Sequence, residues 1–338
     1  MRQANFGKKT GKKPSLVNKS SVNKSLVNEC MNNDNISNNI ATVTVTEKTT
    51  WTPNLFSFKV TRPSNFKFTA GQFVRLGVVP KWLTFYRQTT KTNDADMDSI
   101  DHVDDNADIK RVDVQSEGIF RAYSIVSSPY DDHLEFFSVV IPDGEFTSNL
   151  QHLQVGDTLL LNTTPFGFLT LARYQKPAPK DLWLLATGTG VAPFLSMLQD
   201  PDTWQKYDNI VLAYSVRTQA ELAYANAIPK IASQFQALVD VPAKFVFIPI
   251  ITREQQVTVT DKLKNKNITI TNTLYERLPK LLLGQLQEVA GVEMNVAHSH
   301  IMLCGNPQMV DDTKELLKNM GYAMNRRGEG NIAVENYW

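Results

Sequence analysis

The chain has 338 residues, 42% of them hydrophobic, with 35 Lys and Arg against 34 Asp and Glu and a formal net charge of +1. That length accommodates two domains of ordinary size, and the charge balance excludes a globally basic nucleic-acid binder. Two cysteines, Cys30 and Cys304, exclude a disulfide framework, a CxxC pair and a four-cysteine iron–sulfur centre within the chain. No run approaches the ~18 apolar residues of a membrane-spanning helix, and a cytoplasmic protein is expected.

Residues 1–40 are rich in Lys, Asn and Ser and contain a near-repeat, SLVNKS at 15–20, SVNKS at 21–25 and SLVNEC at 25–30. The first thirty residues carry seven basic side chains against one acid, without the long apolar run of a secretory signal. This composition reads as a disordered N-terminal extension. Translation starting at Met31, which would leave the repeat unmade, is a hypothesis that an intact mass beginning at Met1 refutes.

From Ala41 the pattern turns to strands. ATVTVTEKTT and LFSFKV (55–60) alternate, and TAGQFVRLGVV (69–79) follows a turn signal. Short strands at this spacing suggest an antiparallel sheet or barrel. Thr92–Asp108 interrupts them with seven aspartates, Asp94, Asp96, Asp98, Asp101, Asp104, Asp105 and Asp108. The spacing lacks the glycine and terminal glutamate of a calcium loop, so a flexible acidic insertion is expected over about 90–116.

Strand character resumes at 119–126 and 134–144, and a further hydrophobic strand lies within QHLQVGDTLLLNTTPFGF. KPAPK (176–180) marks the boundary, which gives a first domain over 41–176 and a second over 177–338. Strands and helices then alternate: WLLAT and a helix over 192–199, NIVLAYSV (209–216) and 219–235, KFVFIPIIT (244–252) and 274–289, HIMLCG (300–305) and 307–319. Four buried strands in this rhythm predict a parallel, doubly wound α/β sheet.

The second half centres on LWLLATGTGVAPFLSML (182–198). Thr187, Gly188, Thr189 and Gly190 form a glycine turn that leads into a helix N-terminus, whose open N–H groups and positive dipole end suit a phosphate. Ligands of such sheets bind at the carboxyl ends of the strands, where TGTG, Arg217, Arg253 and CGNP all fall. In the first half, Arg121-Ala122-Tyr123-Ser124 offers a guanidinium for a phosphate and a ring for a flat heterocycle. Alternation puts Arg121 and Tyr123 on one face and Ser124 on the other unless the strand bends. Gly144–Leu150 reads as a loop entering a helix, with Thr147 or Ser148 able to cap it or to bind a phosphate oxygen. The five histidines show no metal spacing.

RAYS (121–124), the GxxT loop (144–147), TGTGVAPF (187–194), CGNPQMV (304–310) and the aromatic end VENYW (334–338) together resemble ferredoxin/flavodoxin–NADP reductase, of the bacterial type whose chain ends in Tyr-Trp. The likeness covers about 41–80 and 117–338. It implies an antiparallel FAD-binding β-barrel followed by an NADP-binding α/β domain. For FAD it implies Arg121 on the pyrophosphate, Tyr123 against the isoalloxazine, Ala122 in the same FAD-binding segment, Ser124 near N5, and Gly144, Phe146 and Thr147 in the second loop. Tyr337 or Trp338 should cover part of the FAD, Trp338 the adenine. For NADP it implies Thr187, Gly188, Thr189 and Gly190 on the pyrophosphate, and Cys304, Gly305, Asn306 and Pro307 near the nicotinamide. Arg217, Arg253 and Arg277 are expected on the 2′-phosphate, with Glu254 placed to neutralise Arg253 in part.

The resemblance further implies hydride transfer from NADPH to the flavin and single-electron passage to ferredoxin or flavodoxin. Ser124, Tyr123, Cys304 and Glu335 stand at the reacting centre, with Glu335 serving proton movement and Cys304 tuning geometry. No metal, nucleic acid or membrane is implied, and a monomer is expected. One alternative is another FAD-dependent NAD(P)H reductase of the same scaffold, feeding an oxygenase, a haem protein or free flavin. The other is a non-catalytic flavin- or nucleotide-binding regulator.

Overall fold

A computed structural model describes residues 39–93, 118–174, 176, 180–261 and 266–336. The N-terminal extension up to residue 38 and the acidic insertion from residue 94 lie outside the described residues. Ile40–Trp338 form one compact unit.

Alternating Val, Thr, Phe and Leu build six strands in the first half: β1 (Ile40–Thr52), β2 (Leu55–Thr61), β3 (Phe73–Val78), β4 (Ile119–Ser124), β5 (His133–Val139) and β6 (Thr158–Asn162). They form one antiparallel sheet in the order β4-β3-β6-β1-β2-β5. Its two edges meet just beyond β4. Ile125 bridges to Phe136, and Val126 N–H donates to Glu135 O at 2.8 Å, which closes the sheet into a barrel. Val45, Phe58, Val74, Leu76, Phe136 and Leu161 fill the interior, as period-2 patterning requires. After β3 the chain forms a helix, Thr84–Asn93, that the sequence pattern did not suggest. Buried Asp157 accepts hydrogen bonds from Thr84 N–H (2.8 Å) and Thr84 Oγ1 (2.6 Å) and so caps this helix from another loop.

The second half is the expected parallel sheet, with one more strand. β7 (Asp181–Thr187), β8 (Asn209–Val216), β9 (Lys244–Ile251), β12 (Ser299–Gly305) and β13 (Ile332–Asn336) run in the order β13-β12-β7-β8-β9. Within β7, Leu182, Leu184 and Ala186 join one apolar cluster, while Trp183 and Leu185 join the cluster on the opposite face. A strand buried on both faces needs this continuous apolar run.

Two expected helices are broken. Over 219–235 a short turn, Gln219–Glu221, is followed by a helix at Ile228–Gln236. Tyr224 between them takes φ +62°, and Pro229 sets the new start. Over 274–289 the chain forms Leu278–Leu282 and Gln285–Ala290, with Pro279 in the first turn and Gly284 (φ −167°) as the joint. The helices Ala192–Leu198 and Pro307–Asn319 lie where expected. Between β9 and Leu278 an additional hairpin forms, β10 (Gln256–Asp261) with β11 (Lys266–Thr271).

The halves are joined by directed polar contacts. Ser196 Oγ donates to Ser127 O (2.8 Å), Gln199 Nε2 to Val126 O (2.8 Å), and Ser128 Oγ to Gln199 O (2.7 Å). Tyr224 reaches across to the barrel, where its hydroxyl donates to Glu135 Oε1 at 2.6 Å. Its ring lies 5.0 Å from Trp51 and edge-on to Phe137 at 5.2 Å. Burial pushes the Glu135 carboxyl up, against the lowering effect of the Tyr224 hydrogen bond.

Candidate functional site

Two clefts open between the barrel and the parallel sheet. The larger, about 1050 Å³, lies at the carboxyl ends of β7, β8, β9 and β12 and is walled on the barrel side by Val139–Pro142. The smaller, about 420 Å³, runs along β4, β5 and the helix Glu145–Leu150. Val139, Ile141 and Thr189 line both, so the clefts adjoin at that wall.

In the smaller cleft Arg121, Ala122, Tyr123 and Ser124 all contribute to the wall, against the alternation expected of a straight strand. The reason is local. Beyond Ser124 the chain leaves β3, since Ile125 bridges to β5 and turns the end of β4 inward. Tyr123 donates to or accepts from Ser138 Oγ at 2.8 Å, and burial pushes its phenol up to about 12. Arg121 is exposed and donates to Phe120 O, leaving most of its guanidinium for a ligand. Thr147 Oγ1 accepts from Ile141 N–H at 3.0 Å, and Ser148 Oγ donates to Glu145 O. Neither hydroxyl therefore caps the helix; Gly144 is its N-cap, without a side-chain cap bond among the described residues. A Cβ at Gly144 would lie 2.9 Å from Thr147 Oγ1, so the loop closes on itself only without one.

Ser124 Oγ is buried with no hydrogen-bond partner among the described residues, and Glu335 Oε2 is in the same condition. Both lie around Phe73. Phe73 pairs with Ser124 across β3 and β4, and a Cβ at Gly167 would touch both the Phe73 ring and Glu335 Oε2. Burial raises the Glu335 carboxyl to about 8. An orphaned buried hydroxyl costs about 1–3 kcal/mol, so Ser124 fits a wall built for a polar, ring-bearing ligand such as a flavin. Tyr337 and Trp338 lie outside the described residues.

In the larger cleft Thr187, Gly188, Thr189, Gly305, Asn306 and Pro307 come together with Arg217, Arg253 and Arg277. Gly188 sits at φ +54°, and Gly190 is buried directly against β12, where a Cβ would lie 2.5 Å from Gly305 Cα. Gly190 and Cys304 are thus behind the wall: Cys304 is fully buried and lines neither cleft. Asn306 N–H donates to Thr187 Oγ1 (2.8 Å), while its side chain caps the Pro307–Asn319 helix through Gln308 and Met309 N–H. The arginines differ. Arg217 is engaged by Glu221, a residue the motifs did not single out although its i+4 spacing from Arg217 is a readable signal. Glu254 instead accepts from Gln219 N–H at 2.8 Å. Arg253 and Arg277 have no ion pair among the described residues, so the neutralisation expected at Arg253 falls on Arg217. Among the described residues no cluster of metal-ligating side chains is found and no helix is long and apolar enough to cross a membrane.

Residues 184–315 match the family described as the oxidoreductase NAD-binding domain. A ferredoxin–NADP reductase of Pseudomonas aeruginosa is 34% identical over 305 residues, spanning 88% of this chain and 97% of that one. A flavodoxin/ferredoxin–NADP reductase of Escherichia coli is 31% identical across 87% of this chain and 97% of its own length. Among solved structures, a ferredoxin NADP+ reductase from Neisseria gonorrhoeae with bound FAD and NADP superposes with a TM-score of 0.67 at 30% identity, covering 89% of this chain and 99% of that one. With a closed antiparallel barrel, a parallel sheet and relatives matched over nearly their whole length, the chain belongs to the ferredoxin–NADP reductase family.

Proposed function

We propose that the chain is an FAD-dependent reductase that exchanges electrons between NADPH and a one-electron protein carrier, a ferredoxin or a flavodoxin. The observation that carries this reading is that the two clefts adjoin and share Val139, Ile141 and Thr189 as a common wall. Ligands held in each would lie side by side at that shared wall. In this reading 41–176 is the FAD-binding domain and 177–338 the NADP-binding domain. Arg121 takes the FAD pyrophosphate, Tyr123 packs against the flat ring beside Ala122, and Gly144, Phe146 and Thr147 form the opposite wall. Tyr337 and Trp338 cover the remainder.

Bound FAD supplies the conversion between two-electron hydride and one-electron chemistry, and the protein supplies position and protons. Ser124 donates its hydroxyl hydrogen at the reacting edge of the ring, and Glu335, kept protonated by burial, holds a proton nearby. The N–H groups at Thr187, Gly188 and Thr189 receive the NADP pyrophosphate, and Gly190 seats that turn on β12 from behind. Gly305, Asn306 and Pro307 wall the nicotinamide, with Cys304 supporting them from behind. Arg253 and Arg277 take the 2′-phosphate bidentately, while Arg217, ion-paired with Glu221, offers it only the Nη1 side of its guanidinium. A carrier needs an open flavin edge, which favours a monomer, and two cysteines in 338 residues suit a reducing, cytoplasmic compartment.

The test is anaerobic stopped-flow absorbance of the flavin on mixing with NADPH, with NADH, and then with ferredoxin or flavodoxin. Fast bleaching by NADPH followed by reduction of the carrier is expected. Protein purified without flavin, or flavin that neither nucleotide bleaches, overturns the reading.

A further inference from the structure

We infer that Glu221 sets the nucleotide specificity of the larger cleft: it weakens the hold on a 2′-phosphate and admits the free ribose hydroxyl of NADH. This rests on the reading of that cleft as a pyridine-nucleotide site.

Three arginines line the cleft, and Glu221 lines it with them. It accepts three hydrogen bonds, all from Arg217: from Nε to Oε2 at 3.1 Å, from the Arg217 backbone N–H to Oε2 at 3.1 Å, and from Nη2 to Oε1. The Nε/Nη2 edge of the guanidinium is thus already taken, which leaves the Nη1 side for a phosphate and lowers the net charge offered to it. Arg253 and Arg277 carry no ion pair among the described residues. The remaining acid of the wall, Asp312, is bonded to Gln308 Nε2 at 2.6 Å on the Pro307–Asn319 helix.

Glu221 is the fixed member of the pair. It ends the turn Gln219–Glu221, whose first N–H donates to Glu254 Oε2 (2.8 Å). The Gln219 amide is in turn bonded to the Thr258 backbone of the β10–β11 hairpin, with Thr258 N–H donating to Gln219 Oε1 at 2.9 Å. The Glu221 side chain is 21% exposed and that of Arg217 58% exposed, so the arginine comes to the carboxylate. A carboxylate held at this place has two effects on a nucleotide. It accepts a hydrogen bond from a ribose 2′-hydroxyl, the contact by which acidic residues favour NAD. It also repels a 2′-phosphate while taking up the cation meant for it. The cleft therefore holds two arginines for NADPH and one acid for NADH.

The test is steady-state kcat and KM of the flavin-loaded protein for NADPH and NADH, with ferricyanide as acceptor, in the wild type, Glu221→Gln and Glu221→Asp. In Glu221→Gln the KM for NADPH is expected to fall about tenfold, while that for NADH rises several-fold. The ratio of kcat/KM values then widens by more than an order of magnitude, and the change resides in KM. Glu221→Asp keeps the charge and stays within about threefold of the wild-type ratio. A ratio unchanged in Glu221→Gln, or KM values that move together for both nucleotides, overturns the inference and leaves the reductase reading standing. A wild-type flavin that neither nucleotide reduces removes both.

Discussion

Replacing Gly190 by alanine tests how tightly the nucleotide turn is seated on β12. A Cβ at this position would lie 2.5 Å from both the Cys304 carbonyl carbon and Gly305 Cα, where ordinary contacts run 3.4–4 Å. Both obstacles are backbone, so no side chain can swing aside, and the turn must lift by about an ångström. Overpacking of this kind costs about 1–3 kcal/mol, and the rigid neighbours place it at the upper end. For a chain of this size each kcal/mol is worth about 2 °C, which gives a loss of about 5 °C in Tm. Gly188→Ala is the control two residues away. It has φ +54° and nothing within 4 Å of the added methyl, so its cost is the left-handed backbone alone, about 1–2 kcal/mol. The methyl of Gly188→Ala instead stands on the cleft wall, and its effect should appear as a raised KM for NADPH. Thermal unfolding followed by flavin fluorescence measures the first, and steady-state kinetics the second. If Gly190→Ala melts within about 1 °C of the wild type, or if Gly188→Ala is the more damaging to stability, the packing argument is wrong.

Tyr224→Phe removes the hydroxyl that donates to Glu135 Oε1 and leaves that buried carboxyl short of a partner. A loss of about 1–3 kcal/mol in urea unfolding is expected, and an unchanged midpoint would show that the bond contributes nothing. Burial holds the Glu335 carboxyl protonated up to about pH 8, whereas its ordinary value is 4.5. Between those values the folded state binds a proton that the unfolded chain has released, so stability falls as pH rises, by at most about 1.4 kcal/mol per unit, and levels off above. Glu335→Gln should flatten that slope in urea unfolding of the flavin-free protein between pH 5 and 8; equal slopes in variant and wild type refute it. Arg253→Ala and Arg277→Ala should each raise the KM for NADPH about tenfold or more and leave that for NADH nearly unchanged. A parallel rise for both nucleotides would count against a 2′-phosphate contact.

Much of the fold is legible in the sequence because its signals are local. The period-2 runs of β1, β2 and β5 and the solid apolar runs of β7, β8 and β12 each declare themselves within a few residues. What was hidden depends on distant partners. Ile332–Asn336 reads as a tail, since a five-residue edge strand gains its meaning only from β12 beside it. The bend that brings Ser124 round to Arg121 and Tyr123 comes from the bridge of Ile125 to Phe136, which closes the barrel. Tyr224 breaks an otherwise convincing helix by adopting a left-handed angle, which its contacts with Trp51, Phe137 and Glu135 hold in place. In the site, the arginines and glycines stand out by residue type. Glu221 escapes notice because a charged pair four residues apart is usually only a solvated surface contact.

The helix Ala192–Leu198 begins at the nucleotide turn and is hydrogen-bonded through Ser196 and the following Gln199 to the chain segment just after Ser124. The floor of one cleft and the wall of the other therefore share a single girder, and moving one moves both. Among the described residues the two clefts are thus tied together at this helix and not hinged there. NADPH association is expected to run as a one-step encounter, with an observed rate that climbs linearly with concentration, and a rate that saturates would refute it.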